Sequence, residues 1–362
     1  MNPLFLLAAV PIFALMVLVH EFGHFITARW AGIRVEEFAI GFPPRLFAIK
    51  RGETVYSINL LPIGGYVRMP GENGETTDEE GRPDPGSFAS KTAGKRAIVL
   101  LAGVTMNLIL AFVLFTGAEA AGPVIASSYV KVMSGGPAAT AGLVSGDHVV
   151  AIDGHPIKTY DDLIAQTNAV IALAPKGAKT YPVTLLVQHP GVANPVTITV
   201  HASTSSPHLD VTTDISHAIH VTHPIWEAPA RGLGDIPFVI GATGNAINQI
   251  IHHKIALSQA VSGPVGIVKV TGDVASSVST SGWYPLLFLA GFLSLNLAFV
   301  NILPIPALDG GRVLFIIIEV LRRGKRMSPE REGLINLIGM GALLFLVLLV
   351  TINDVGNILG GH

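Results

Sequence analysis

The sequence predicts an α-helical polytopic membrane protein of about four transmembrane helices, carrying a membrane-associated β-hairpin and an inserted extracytoplasmic β-rich domain. Half of the 362 residues are apolar and only 13% are charged, roughly half the charged share of an average soluble domain. Apolar runs at Pro3–Val19, Ile98–Phe115 and Leu334–Val350, with a fourth at Tyr284–Leu303, each approach the ~20 residues that cross a bilayer core. Between the second and fourth runs the pattern changes to short apolar strands broken by Gly and Pro.

Taken in order, the first run has no Lys or Arg before it and no small-residue cleavage site after it. It is therefore expected to be a retained span over about 3–25 rather than a signal peptide. A re-entrant hairpin is expected over about 45–70, an acidic solvated loop over 71–86, and the second span over 97–116, closing an N-terminal membrane domain of 1–116. The β-rich domain is placed at 122–202, on the motifs Gly135-Gly136-Pro137-Ala138-Ala139, Ala141-Gly142-Leu143, Gly146-Asp147 and the strand-turn Ala151-Ile152-Asp153-Gly154, with further strands at Val183–Val187 and Val196–Val200. These motifs resemble a bacterial PDZ domain; the alternative is a β-rich spacer. Residues 203–282 form an extracytoplasmic linker in which Ile225–His253, too polar to span, predicts an amphipathic helix along the outer membrane surface. A C-terminal membrane domain, 283–362, holds spans at 284–303 and 334–351.

Basic residues crowd the segments from Arg29 to Arg96 and from Arg312 to Arg331, whereas only seven lie between Gly117 and Gly282. By the positive-inside rule the two basic segments face the cytoplasm and both termini lie outside. The net charge of -2 excludes a phosphate-binding surface and so a nucleic-acid partner. With no cysteine, disulfides, thiolate metal sites and a cysteine nucleophile are excluded, and any metal must use His, Asp or Glu.

At the end of the first run stands His20-Glu21-Phe22-Gly23-His24. Residues four apart share a helix face, the separation at which two imidazoles grip one zinc ion. Glu21, beside the first ligand, is placed to act as general base. Within lipid such a cluster is costly unless it faces a cavity or a metal. A catalytic zinc takes three protein ligands, and Asp309 is the leading third, with Glu319 a distant second. It follows Asn296, Asn301, Pro304 and Pro306, whose prolines break the span, and unwound backbone at membrane depth is tolerated only beside a cavity or protein. The alternative role for Asp309 is a helix N-cap. His217, His220 and His223 share no strand face and read as exposed loop residues.

HEFGH in the first span, the PDZ-like segment, and Asn301-Ile302-Leu303-Pro304-Ile305-Pro306-Ala307-Leu308-Asp309-Gly310-Gly311 together resemble the site-2 proteases, particularly the bacterial RseP group that cleaves anti-sigma factors. Leu61-Pro62-Ile63-Gly64-Gly65-Tyr66-Val67 resembles that family's re-entrant hairpin. Ala102-Gly103 with Asn107 resembles its second span, and Ser262-Gly263-Pro264-Val265-Gly266 the stretch before its third. Two departures stand out: Val104 where the family often has Pro, and one PDZ domain where RseP has two. The resemblance implies a zinc metalloprotease of the bacterial inner membrane, with its active site toward the cytoplasm and its PDZ domain outside. It implies hydrolysis of a single-pass transmembrane substrate, such as a membrane-bound anti-sigma factor or a signal-peptide remnant. By the same resemblance Asn301 and Asn296 position substrate or stabilise an oxyanion, their alternative being interhelical hydrogen bonding. An unwound substrate segment is expected to add to a strand edge at Thr54, Val55, Tyr56, Ser57, Ile58, Asn59 and Leu60, and a peptide terminus to occupy the PDZ groove. The rival readings are a non-catalytic PDZ scaffold and a transporter with broken helices.

Overall fold

The computed structural model describes residues 3–72, 84–204, 209–214, 219–221, 223–252 and 263–360. Two compact units make up the chain: Met1–Ala120 with Pro224–Val278 and Pro285–His362, and Ala121–His223 with Ser279–Tyr284. The first holds four helices long and apolar enough to cross a membrane, within Ala8–Trp30, Ala93–Ala121, Tyr284–Ile302 and Pro329–Gly356.

Helix α1 (Pro3–Trp30) runs several residues past the expected end of its span, so the HEFGH segment lies on unbroken helix. Two 15-residue strands follow, β1 (Glu37–Arg51) and β2 (Thr54–Arg68). Phe47–Arg51 pairs with Thr54–Ile58 as a hairpin, while Glu37–Ile40 pairs with Val55–Ile58 on one side and Gly65–Arg68 on the other. Across the sheet the order is therefore 47–51, 54–58, 37–40, 65–68. The expected hairpin began at 45; it begins at Glu37, because each long strand contributes two paired segments. At its base Val35, Phe38, Val67 and Met69 pack with Ala28 of α1 and with Val99 and Leu100 of α2 (Ala93–Ala121). At its far end Phe42, Leu46, Phe47, Leu60 and Leu61 are exposed, an apolar surface suited to lipid. The acidic segment expected over 71–86 falls largely on 73–83, outside the described residues.

The second unit comprises β3 (Val124–Ile125), β4 (Tyr129–Val132), α3 (Pro137–Thr140), β5 (Asp147–Ile152), β6 (His155–Pro156), α4 (Tyr160–Ile171), β7 (Thr180–Gln188), β8 (Val196–Ser203), β9 (Val211–Thr213) and β10 (Ile219–His220). Its main sheet has the order β8-β7-β5-β4-β9, with β6 on β5; β3 and β10 pair separately. Asp153 and Gly154 both have positive φ, 45° and 80°, and close the β5–β6 turn with the twist that tight hairpins require. Thr159 and Asp162 form a capping box at the start of α4, satisfying two orphan backbone donors. Leu163 of α4 packs into a core with Val130, Val149, Ile152, Leu185 and Val200, all essentially fully buried. The unit extends past the expected boundary at 202: β9 pairs with β4, and Leu209 and Val211 enter the core. Nothing local in the sequence signals that pairing.

Returning to the first unit, α5 (Ala228–Ile251) exposes Leu233, Phe238, Ile240 and Ile247, while Val239 is buried with Ala111 and Phe115 of α2. Helix α6 (Pro264–Ser276) packs beside α1. Its N-terminal amides on Gly263 and Gly266 donate to Asp354, at 3.1 and 2.8 Å, so helix donors that would otherwise be orphaned have an anionic acceptor. Helices α7 (Tyr284–Ile302), α8 (Asp309–Leu321) and α9 (Pro329–Gly360) complete the unit.

Candidate metal centre

One turn apart on α1, His20 and His24 direct their imidazoles to the same place: their Nε2 atoms are 3.2 Å apart and the rings are nearly perpendicular, at 84°. Asp309 Oδ2 lies 3.1 Å from His20 Nε2 and 3.3 Å from His24 Nε2. Tetrahedral zinc, with ligand bonds of about 2.0–2.2 Å, needs ligand atoms ~3.3 Å apart. All three separations meet that requirement, and Oδ2 is a buried acceptor with no hydrogen-bond partner. Among the described residues this is the one cluster of three His, Asp or Glu ligand atoms close enough to share an ion.

The space for the ion comes from α2. Val99, Gly103 and Asn107 recur every fourth residue and so line one face of that helix. The Val99 carbonyl accepts a hydrogen bond from His24 Nδ1 at 2.8 Å, and the Asn107 amide lies 3.2 Å from His20 Nδ1. Between them a methyl group on Gly103 would fall 2.4 Å from His24 Nε2 and 2.7 Å from His20 Cε1. Gly23, inside the HEFGH segment, has a matching purpose: a Cβ there would meet the Ala102 carbonyl oxygen at 2.5 Å, so its absence lets the two helices approach closely.

Delivery of Asp309 depends on irregular backbone. α7 stops at Ile302, and Pro304 and Pro306 prevent its continuation. Ala307 has φ 78°, a left-handed conformation that costs a non-glycine residue on the order of 1–3 kcal/mol. Its amide donates to Asn336 Oδ1 of α9 at 3.2 Å, and Gly339 of α9 lies where a Cβ would meet Pro306 at 2.6 Å. α9 thus holds the turn from which α8 starts, with Asp309 as its first residue and Leu308 as N-cap.

The other expected site residues separate into groups. Glu21 is half-buried and faces the hairpin, a Cβ on Gly65 lying 3.3 Å from its Cγ. The Asn301 amide is 3.4 Å from His20 Nε2. Asn296 instead donates to the Phe292 carbonyl of its own helix at 2.8 Å. Glu319, the second-choice ligand, bonds Arg96 and Arg326. Burial pushes its carboxyl up, but those two guanidinium groups more than reverse this and hold it below its ordinary range.

The strand Thr54–Leu60 is not an edge, which corrects the expectation for substrate addition. Thr54, Val55, Tyr56, Ser57 and Ile58 have paired neighbours in 47–51, and Val55–Ile58 also in 37–40. Thr54 donates to the Val35 carbonyl, Ser57 to Glu37, and Asn59 to the Gly41 carbonyl; only Leu60, exposed, remains uncommitted. On the outer side of Gly65–Arg68 no strand pairs among the described residues. His217 lies outside the described residues.

Sequence reasoning missed the metal-facing roles of Gly103 and Asn107 and the parts played by Ala307, Asn336 and Gly339. Only the four-residue spacing of 99, 103 and 107 signalled any of them.

Comparison with known proteins supplies a further finding. Residues 8–346 match the family model described as peptidase family M50. A zinc metalloprotease RasP of Geobacillus kaustophilus is 31% identical, with 97% of each chain covered. The regulator of sigma-W protease RasP of Bacillus subtilis is 30% identical, covering 96% of this chain and 97% of its own. A Clostridium acetobutylicum protein named provisionally as a zinc metalloprotease is 34% identical, with 96% of each chain covered.

Proposed function

The chain belongs to peptidase family M50, the site-2 proteases, and from that premise we propose that it hydrolyses a peptide bond within a membrane-spanning substrate, using zinc held by His20, His24 and Asp309. The observation that carries this is the triangle of ligand atoms at 3.1, 3.2 and 3.3 Å, whose edges suit tetrahedral zinc.

Bound there, zinc supplies a Lewis acid that acidifies water and polarises the scissile carbonyl. Glu21, adjoining the first ligand, takes the proton from the attacking water and hands it to the departing amine. The Asn301 amide, beside His20 Nε2, donates to the oxyanion that develops in the tetrahedral transition state. Asn296 has no part in this, since its amide serves its own helix.

A substrate helix has its carbonyls engaged in internal bonds and must unwind before attack. The outer edge of Gly65–Arg68, beside Glu21 through Gly65, offers backbone groups that replace the bonds lost. The substrate class proposed is a membrane-bound anti-sigma factor or a signal-peptide remnant. The sigma-W regulator named above supports the first. The unit Ala121–His223 is read as a PDZ domain outside the bacterial inner membrane, with the basic segments and the metal centre toward the cytoplasm. It recruits a substrate terminus or excludes substrates with bulky outer domains. Deleting the unit separates these: cutting of untrimmed substrate supports exclusion, and loss of all cutting supports recruitment.

The test is cleavage of a model transmembrane substrate by the purified chain in detergent. Cleavage is expected to be lost in Glu21→Gln with zinc still bound, and lost on chelation but restored by added zinc. Cleavage undiminished in Glu21→Gln would overturn the assignment and favour the scaffold reading.

A further inference from the structure

We propose that Asn107 is a positioning residue: its side-chain carbonyl accepts from His20 Nδ1–H and fixes that imidazole in the tautomer whose Nε2 is free to bind metal. This rests on the reading of His20 as a ligand given above.

The argument begins with protons. A neutral imidazole carries one N–H, and if Nε2 gives its lone pair to a metal, the proton must sit on Nδ1. His20 is 7% exposed and Asn107 is fully buried, so no water is at hand to receive that proton. The only polar side-chain group recorded against His20 Nδ1 is the Asn107 amide, at 3.2 Å. As placed, its nitrogen faces Nδ1 and its oxygen is buried without a partner. Two N–H donors cannot bond one another, so this orientation suits only an imidazole protonated on Nε2, where the proton would occupy the metal's place. Amide nitrogen and oxygen differ little in shape and exchange by a half-turn of the group. That half-turn sets the orphaned carbonyl against Nδ1–H and resolves both faults together.

The partner ligand supports the assignment independently. His24 Nδ1 faces the Val99 carbonyl at 2.8 Å, and a backbone carbonyl can only accept. His24 is thereby committed to the metal-binding tautomer, and α2 serves both ligands with one device: an acceptor at 99, a gap at 103, an acceptor at 107. Asn107 is also held in place, since Ser294 of α7, itself fully buried, donates to its backbone carbonyl at 2.9 Å. A buried amide in a membrane span is costly without such partners.

The test uses the full chain in detergent, with zinc affinity measured by competition against a chromophoric chelator. Asn107→Leu removes the acceptor and is expected to weaken zinc on the order of 10- to 100-fold, the usual effect of losing a ligand's hydrogen-bond partner. Asn107→Asp keeps an acceptor and lacks a donor, so it is expected to bind within a few-fold of wild type. The cobalt-substituted protein gives a second readout: its visible spectrum is expected to change in Asn107→Leu and to be retained in Asn107→Asp. Equal weakening in both variants would overturn the proposal, as would unchanged affinity in Asn107→Leu. Ser294→Ala, which disturbs the packing of α2 without touching the acceptor, is expected to leave zinc affinity near wild type; a loss equal to that of Asn107→Leu would make the role merely structural and overturn it. Unchanged zinc affinity in His20→Ala would instead refute the ligand assignment beneath it.

Discussion

Gly103 in the membrane unit and Gly154 in the β unit are the same residue used for opposite reasons. Around Gly154 nothing lies within 4 Å of where a Cβ would be, and its φ of 80° is what a side chain would resist. Gly103 sits in regular helix, and a methyl there would strike both histidines. The contrast extends to the cores. The β unit buries large apolar residues such as Ile152, Leu163 and Leu185, as water demands. The membrane unit exposes its large residues, Leu344 and Phe345 among them, and buries His20, His24, Asn107 and Ser294, because lipid gives apolar side chains no reason to be inside. One unit is sensitive to volume removed, the other to volume added.

Substitutions can break that contrast. Gly103→Ala is expected to have the largest effect, lowering zinc affinity by more than ~100-fold, beyond what losing an orienting partner does, and abolishing cleavage while circular dichroism stays unchanged. Zinc bound at wild-type strength would refute the claim of a packed gap. Leu185→Ala is expected to destabilise the β unit by about 2–5 kcal/mol, visible as faster hydrogen exchange confined to that unit, with zinc affinity unaltered. For Gly154→Ala a loss of about 1–2 kcal/mol in the same experiment follows from the left-handed backbone alone.

The smallest effect concerns a charge in α5. Burial, then the negative charge of Glu119, pushes the Asp235 carboxyl up to about 6. Its raised value means the folded state favours the protonated form, so the penalty is absent below the ordinary carboxylate range, grows as pH rises toward 6, and is complete above it. Asp235→Asn should therefore slow exchange in α5 at pH 7.5 and leave it unchanged near pH 4. Because the group is only half-buried, the gain is discounted for solvent screening. Equal exchange rates at pH 7.5 would remove this carboxylate from the account of how α5 is held.

What the sequence made legible followed a short-range rule. Four apolar runs announced four helices, and His20 with His24 announced a shared helix face. Asp309 was found through the prolines before it, whose effect on a helix is local. Pairings between distant segments stayed hidden: the two-sided neighbours of Val55–Ile58, the β9–β4 ladder past residue 202, and the acceptors that α2 presents to α1. Thr54–Leu60 has the composition of a strand, but composition does not say how many neighbours a strand has. Asn296 and Asn301 are chemically alike, and five residues of helix turn them to different faces.

The turn at Ala307 sets an order of events during synthesis. His20 and His24 leave the ribosome early, in the first helix, whereas Asp309 comes late and its backbone is held by Asn336, in the last. A nascent chain that has not yet threaded its final helix has two metal ligands and no fixed third. Hydrolytic power is thus withheld through nearly the whole of translation, and a truncated product would reach the bilayer inert.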